Sequence, residues 1–297
     1  MAVQLHHGKS NLAIELAKKI NGEIISADSM QIYKDMNIGT AKVTPSEMEG
    51  IKHYMIDFIE PDKRYSVSEY KKEAEKNIEY ILSKGKNPIV VGGTGLYIDS
   101  LIYGINFQEE EMDLAYRTYL NERAEKEGLS ALYEEACKID PKAMEKISPN
   151  DKKRIIRVLE IFHKTGKTKT LQEIESRKTK VKYNYYLFAI DMERSVLYEK
   201  IEKRVDIMIK QGLIEEVADI LEKYKEFPTA MQGLGYKEVV EYLKGIITKE
   251  EMIEKIKLET RHYAKRQLTW FRKNKQTIWL DGTKPVKENV NFIINKI

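Results

Sequence analysis

Glu23-Ile24-Ile25-Ser26-Ala27-Asp28 and Asn87-Pro88-Ile89-Val90-Val91-Gly92-Gly93-Thr94-Gly95 decide the fold. Each is a short apolar run, rich in β-branched residues, that stops abruptly at an acid or a glycine turn. A strand buried on both faces reads this way. Helical stretches lie around them. Asn11 to Ile20 has helical periodicity and ends at Asn21-Gly22, and Val67 to Lys84 is closed by Gly85. Short apolar strands alternating with helices predict a parallel sheet with helices on both faces.

In such a sheet, ligands bind at the carboxyl edge of the strands. Three polar elements fall on that edge: Asp28, Gly92-Gly93-Thr94-Gly95, and Gly8-Lys9-Ser10 at the start of the first helix. Taken singly, Gly-Lys-Ser is a turn into a helix, Asp28 is a cap and the glycine run is a tight turn. Taken together on one edge, they make a stronger case. Gly8-Lys9-Ser10 has the form of the end of a phosphate-binding loop, in which backbone N–H groups and a helix N-terminus hold phosphate oxygens. In such loops the lysine adds a charge and the hydroxyl ligates Mg²⁺.

Farther along, strand signals vanish from about Met112 to Lys180. Ser148-Pro149-Asn150-Asp151 reads as a helix start, with a cap and a proline in the first turn, and Thr165-Gly166 as the stop. The polar stretch Lys167 to Lys182 reads as a loop or frayed helix. Tyr185 to Ile190 returns to strand character, and Arg194 to Gln211 is helical up to Gly212. Another helix and a loop follow, then two final helices over Tyr236–Leu243 and Lys249–Lys273. The expected division is an α/β core, residues 1–107 and 184–297, with a helical insertion over 108–183.

With apolar residues at 42%, the chain can bury a sizeable core. It has no apolar run of about 20 residues, so no membrane span is expected. Met1 to Ser10 lacks an apolar stretch of the signal-peptide kind. A single cysteine, Cys137, excludes an internal disulfide and a cysteine zinc cluster. These features predict a soluble cytoplasmic protein. The net charge of +4 carries little information because 51 cations nearly balance 47 anions. Their distribution carries more: cations gather at Lys152 to Arg157 and from Lys255 to Lys275. Either run alone is a solvated helix face. The two together, beside a nucleotide-type motif, point to an anionic partner.

Several longer motifs resemble the tRNA dimethylallyltransferase family. They include Gly22-Glu23-Ile24-Ile25-Ser26-Ala27-Asp28-Ser29-Met30-Gln31-Ile32-Tyr33, Asn37-Ile38-Gly39-Thr40-Ala41-Lys42 and Val91-Gly92-Gly93-Thr94-Gly95-Leu96-Tyr97. Arg154-Ile155-Ile156-Arg157-Val158-Leu159-Glu160, Arg204-Val205-Asp206, Gly235-Tyr236-Lys237-Glu238 and Tyr263-Ala264-Lys265-Arg266-Gln267-Leu268-Thr269-Trp270-Phe271 follow in the family's order. The likeness spans Gly8 to about Arg272.

The resemblance implies a P-loop-type core and a reaction. The exocyclic amine of an adenine beside the tRNA anticodon, N6 of adenosine 37, attacks dimethylallyl diphosphate, and diphosphate leaves. Asp28 matches the general base that takes the amine proton. Gly8, Lys9 and Ser10 with Mg²⁺, together with Thr94 and Arg204, match the groups that bind and stabilise the leaving diphosphate. Asp28, Ser29, Met30 and Gln31, then Arg117, Lys153, Arg154, Ile155, Ile156 and Arg157, then Gln232, Gly235, Tyr236 and Lys237 match positions that contact tRNA. The resemblance also implies a monomer. From the residues, Lys257, Arg261, Lys265 and Arg272 lie near one face of the last long helix and are expected to face phosphates or solvent. Trp270 and Phe271 are expected in the core. Free adenine nucleotide as acceptor, or a tRNA-binding protein without catalysis, remain as alternatives.

The N-terminus departs from the family pattern. Val3 stands where the loop's first glycine belongs, with Gln4-Leu5-His6-His7 after it. Valine disfavours positive φ. Only Met1-Ala2 remain for the first strand, so that strand is expected to be missing, with two strand edges exposed. The codons GGT CCA ACT read one base late give Val-Gln-Leu, so a shifted reading frame before Gly8 is the expectation for Met1 to His7.

Overall fold

The computed structural model describes residues 2–4, 9–106, 113–177 and 181–297, with backbone only for 2–4 and 9. The chain divides into two compact units, residues 1–102 with 183–297, and residues 103–182.

The first unit begins with strand β1 (Ala2–Gln4), helix α1 (Lys9–Ile20), strands β2 (Gly22–Ser26) and β3 (His53–Tyr54), helix α2 (Val67–Ser83), strand β4 (Asn87–Val91) and helix α3 (Gly95–Ile102). The second unit is helical: α4 (Leu114–Lys126), α5 (Leu129–Ile139), the single turn α6 (Pro141–Met144), α7 (Lys152–Thr165) and α8 (Lys169–Ser176). The chain then completes the first unit with β5 (Leu187–Asp191), α9 (Arg194–Lys210), α10 (Leu213–Lys223), α11 (Tyr236–Leu243), α12 (Lys249–Lys273), β6 (Ile278–Asp281) and α13 (Val286–Ile294).

The six strands form one parallel sheet in the order β3-β2-β4-β1-β5-β6. Parallel pairing aligns all carboxyl ends on one edge. Ile25, Val90, Leu187 and Ala189 pack with Tyr70, Ile98, Leu101 and Phe271 in one apolar cluster. Ile24, Ile89 and Phe188 pack with Leu12, Leu16, Val290 and Ile293 in another. The alternation Ile24/Ile25 and Ile89/Val90 sends successive side chains to opposite faces, so both faces need cover.

The first strand, expected to be missing, is present. Ala2–Gln4 pairs with β4 on one side and β5 on the other, with Val3 opposite Val91 and Phe188. The family pattern puts a loop glycine at this position. In a strand no positive φ is required. No edge is exposed between β4 and β5.

Other departures are smaller. The α7 helix starts at Asp151, whose carboxylate accepts the Arg154 N–H at 3.1 Å. Ser148 instead accepts the Asn150 N–H within the preceding turn. The stretch after Gly166 contains a real helix, α8, capped by Thr168. Both β6 and α13 lie beyond the last helix expected from the sequence.

At the amino edge of the sheet, opposite the ligand edge, Glu23 is buried and receives Lys84, Lys86 and the Tyr54 hydroxyl at 2.5–2.7 Å. Burial pushes its carboxyl up, but these three donors outweigh burial and hold it down to about 2, from an ordinary 4.5. A depressed folded-state value contributes stability above about pH 4.5 that is lost as pH falls toward 2. The urea midpoint of the native chain should therefore fall toward that of Glu23→Gln across this window. A constant gap between the two would mean that the cluster does not act through the Glu23 charge.

Candidate active site

The carboxyl edge is assembled by close backbone contact between β2 and β4. The Ala27 N–H donates to the Val91 carbonyl at 2.7 Å, and the Thr94 N–H donates back to the Ala27 carbonyl at 3.0 Å. Gly92 lies so near that a Cβ there would sit 2.2 Å from the Ala27 backbone. Only glycine lets the turn after β4 close against the end of β2. This places Thr94 beside Asp28 and Ser29: the Ser29 N–H donates to Thr94 Oγ1 at 2.9 Å, and that hydroxyl donates to Ser29 Oγ at 3.2 Å. Asp28 Oδ1 accepts the Met30 N–H at 2.9 Å and the Gln31 N–H at 3.4 Å. One carboxylate oxygen is thus fixed in an Asx-type turn.

Helix α12 supports the glycine turn from below with residues 263, 267 and 270, which share a helix face. Gln267 Nε2 donates to the Gly93 carbonyl at 2.7 Å. A Cβ on Gly93 would lie 2.1 Å from that nitrogen, and one on Gly95 would lie 2.8 Å from the Trp270 ring. The Trp270 indole N–H is anchored on Asp99 at 2.9 Å. Phe271 is fully buried, as expected of a core residue, and Trp270 is half-buried. The phenol of Tyr263 meets Gln267 and Thr94. Burial and then the nearby Asp28 charge push it up to about 12, against those two hydrogen bonds, so it stays a neutral hydroxyl. Tyr263 opens a motif of the family resemblance but is given no site role from the sequence, although its spacing of one helical turn from Gln267 is the signal that could have supplied one.

Arg204, on α9, brings a cation to this edge. Burial pulls its guanidinium below its ordinary value, and the Asp28 and Glu47 carboxylates oppose that pull. Arginine stays charged under such pressure. The structure therefore brings Asp28, Thr94 and Arg204 together. Ser10 is half-buried in the first turn of α1. Lys9 opens that helix, and Gly8 lies outside the described residues. Among the described residues there is no group of three or more His, Cys, Asp or Glu suited to a metal. Ser10 offers a hydroxyl oxygen of the kind a hard divalent cation takes.

The residues expected at a tRNA surface divide by exposure. In the second unit Lys153, Arg154 and Arg157 are exposed on α7, and Lys153 and Arg157 share a face. Ile155 and Ile156 are not surface residues: both are buried in that unit's core with Leu120, Leu132 and Leu159. Arg117 makes a two-pronged contact with buried Glu160, which Arg157 approaches at 3.8 Å. In the first unit Gln232 and Lys237 are exposed, whereas Gly235 and Tyr236 are buried. Tyr236 is fully enclosed and donates to Glu216 at 2.6 Å, so its side chain is not a nucleic-acid contact. Ser29, Met30 and Gln31 are half-buried. On α12, Lys257 pairs with Asp206 at 2.8 Å and Arg261 with Glu202 at 2.6 Å. These two cations brace α12 against α9.

Known proteins resemble this chain in sequence and fold. The IPP transferase family model matches residues 31–274. A tRNA dimethylallyltransferase of Acetivibrio thermocellus is 50% identical over 293 residues, covering 97% of this chain and 94% of that protein. The crystal structure of a tRNA isopentenylpyrophosphate transferase from Bacillus halodurans matches with a TM-score of 0.73 and 39% identity, over 99% of this chain and 96% of that one. A eukaryotic dimethylallyltransferase, in a study of its action on tRNA, matches with a TM-score of 0.76 and 32% identity, over 95% of this chain and 73% of that one.

Proposed function

The chain belongs to the IPP transferase family, the tRNA dimethylallyltransferases, and from that premise we propose how its own residues carry out prenyl transfer to tRNA. The acceptor is N6 of the adenosine at position 37, beside the anticodon, and the donor is dimethylallyl diphosphate. The N6 lone pair forms a bond to the allylic carbon. The bond from that carbon to the diphosphate oxygen breaks, and the N6 proton passes to the Asp28 carboxylate. The observation that carries this reading is the placement of Asp28 beside Thr94 and Arg204 on one sheet edge.

Each group has a stated task. Asp28 is the base, oriented by the N–H groups of Met30 and Gln31. The Thr94 hydroxyl and the Arg204 charge stabilise the departing diphosphate. Gly8, Lys9 and Ser10 bind it; Lys9 and Ser10 open α1, and a helix N-terminus favours an anion. Ser10 would hold Mg²⁺, which when bound would supply charge neutralisation to the diphosphate. The adenine must leave its stack to reach Asp28, at a cost of a few kcal/mol. Arg117, Lys153, Arg154 and Arg157 in the helical unit, and Gln232 and Lys237 in the core, contact the tRNA as the protein works as a monomer. Free adenine nucleotide as acceptor is the weaker reading, because the relatives are named for tRNA.

Two sets of variants test these roles. Asp28→Ala should lower single-turnover prenyl transfer by about 10²–10⁴-fold, with tRNA binding kept within severalfold. Near-native turnover would remove Asp28 from the role of base. Lys153→Ala and Arg157→Ala should weaken tRNA binding and flatten its dependence on log salt, by about one unit of slope for each phosphate no longer neutralised. An unchanged salt titration would make this face an ordinary solvated one.

A further inference from the structure

The carboxylate of Glu216, in the first turn of α10, gathers three consecutive backbone donors from the loop Asn37–Lys42. The N–H groups of Asn37, Ile38 and Gly39 reach it at 2.9, 2.7 and 3.2 Å. Successive N–H groups that converge in this way form an anion nest. Here the nest is filled by the protein's own carboxylate, and the buried Tyr236 hydroxyl adds a fourth donor at 2.6 Å. The loop is locked onto Tyr236 by shape as well, since a Cβ on Gly39 would lie 2.4 Å from the ring.

The far side of the same loop holds Gln31. Its Nε2 donates to the carbonyls of Thr40 and Ala41 at 3.2 and 3.4 Å, and its Oε1 accepts from Ser26 Oγ at 3.2 Å. Ala41 has φ of +47°, a left-handed conformation that a residue with a side chain keeps only where its surroundings impose it. The Gln31 backbone N–H in turn reaches Asp28 Oδ1. The Gln31 amide is thus occupied within the protein, although the family resemblance assigns this residue to tRNA.

We propose that Glu216 is a positioning residue for prenyl transfer, acting through the 37–42 loop and Gln31 to hold Asp28 in its reactive orientation. This rests on the assignment of Asp28 as base. Glu216 touches no reacting atom. It fixes one side of a loop whose other side fixes the turn carrying Asp28. Misplacement of about 1 Å by a remote change can cost 10²-fold in rate.

The test measures kcat, KM for both substrates and thermal melting for Glu216→Gln, Gln31→Ala, the double variant, Tyr236→Phe and Asp28→Ala. Glu216→Gln keeps the size but removes the charge that the nest complements. It should lower kcat by about 10–10²-fold with KM for tRNA and for dimethylallyl diphosphate within about threefold. Because the two residues act in series, the double variant should be no slower than the slower single variant. Tyr236→Phe leaves the carboxylate on its three N–H groups and should lose only severalfold in kcat. It also serves if Glu216→Gln does not fold. Native kcat in the folded Glu216→Gln protein, or multiplying effects of the Glu216 and Gln31 changes, would overturn the proposal while leaving Asp28 as base. If Glu216→Gln does not fold, native kcat in Tyr236→Phe overturns it. Near-native turnover of Asp28→Ala would instead remove the base itself, and with it the end of the chain.

Discussion

The approach of the turn after β4 to the Ala27 backbone is the constraint on which the rest of the site depends. Two reciprocal hydrogen bonds, Ala27 to Val91 and Thr94 to Ala27, join the ends of two parallel strands just past the last regular pair, Ser26 with Val91. Gly92 is the residue that permits this approach, because any Cβ there would overlap Ala27. Thr94 is thereby delivered to Ser29, and the Asp28 turn is set beside it. A catalytic group held on strand ends in this way is placed more firmly than one on a free loop.

The long helix α12 extends the same constraint. Gln267 takes the Gly93 carbonyl, Trp270 lies over Gly95, and Tyr263 meets Thr94. The run Lys265 to Phe271 is therefore a brace for the glycine turn as well as a surface of cations. Lys257 and Arg261 show how a helix with many cations can use them internally, by pairing with Asp206 and Glu202 on α9.

Much of this is legible in the sequence because the strands are short, apolar and punctuated by glycine. The runs ending at Asp28 and Gly92 announce both the sheet and its functional edge. The failures have physical causes. Val3 matches a loop position in the family pattern, whereas pairing partners on both sides draw Ala2–Gln4 into the sheet. Ile155, Ile156 and Tyr236 sit in motifs beside exposed cations, and motif spacing does not record which residues point inward. The α7 pattern does record it, since Lys153 and Arg157 lie one turn apart while Ile155 and Ile156 face Leu120 and Leu132. Glu216 is not legible at all: three of its partners are backbone N–H groups far away in sequence, and such contacts leave no mark in side-chain chemistry.

That this sheet edge transfers a prenyl group to tRNA is tested most directly with labelled dimethylallyl diphosphate, supplied with Mg²⁺ and with tRNA, with AMP or with no acceptor. The expected result is label in tRNA, released on nuclease digestion as a prenylated adenosine from position 37, with little label in AMP and none without acceptor. Label in AMP at a rate matching that in tRNA, or no label in tRNA, would contradict it.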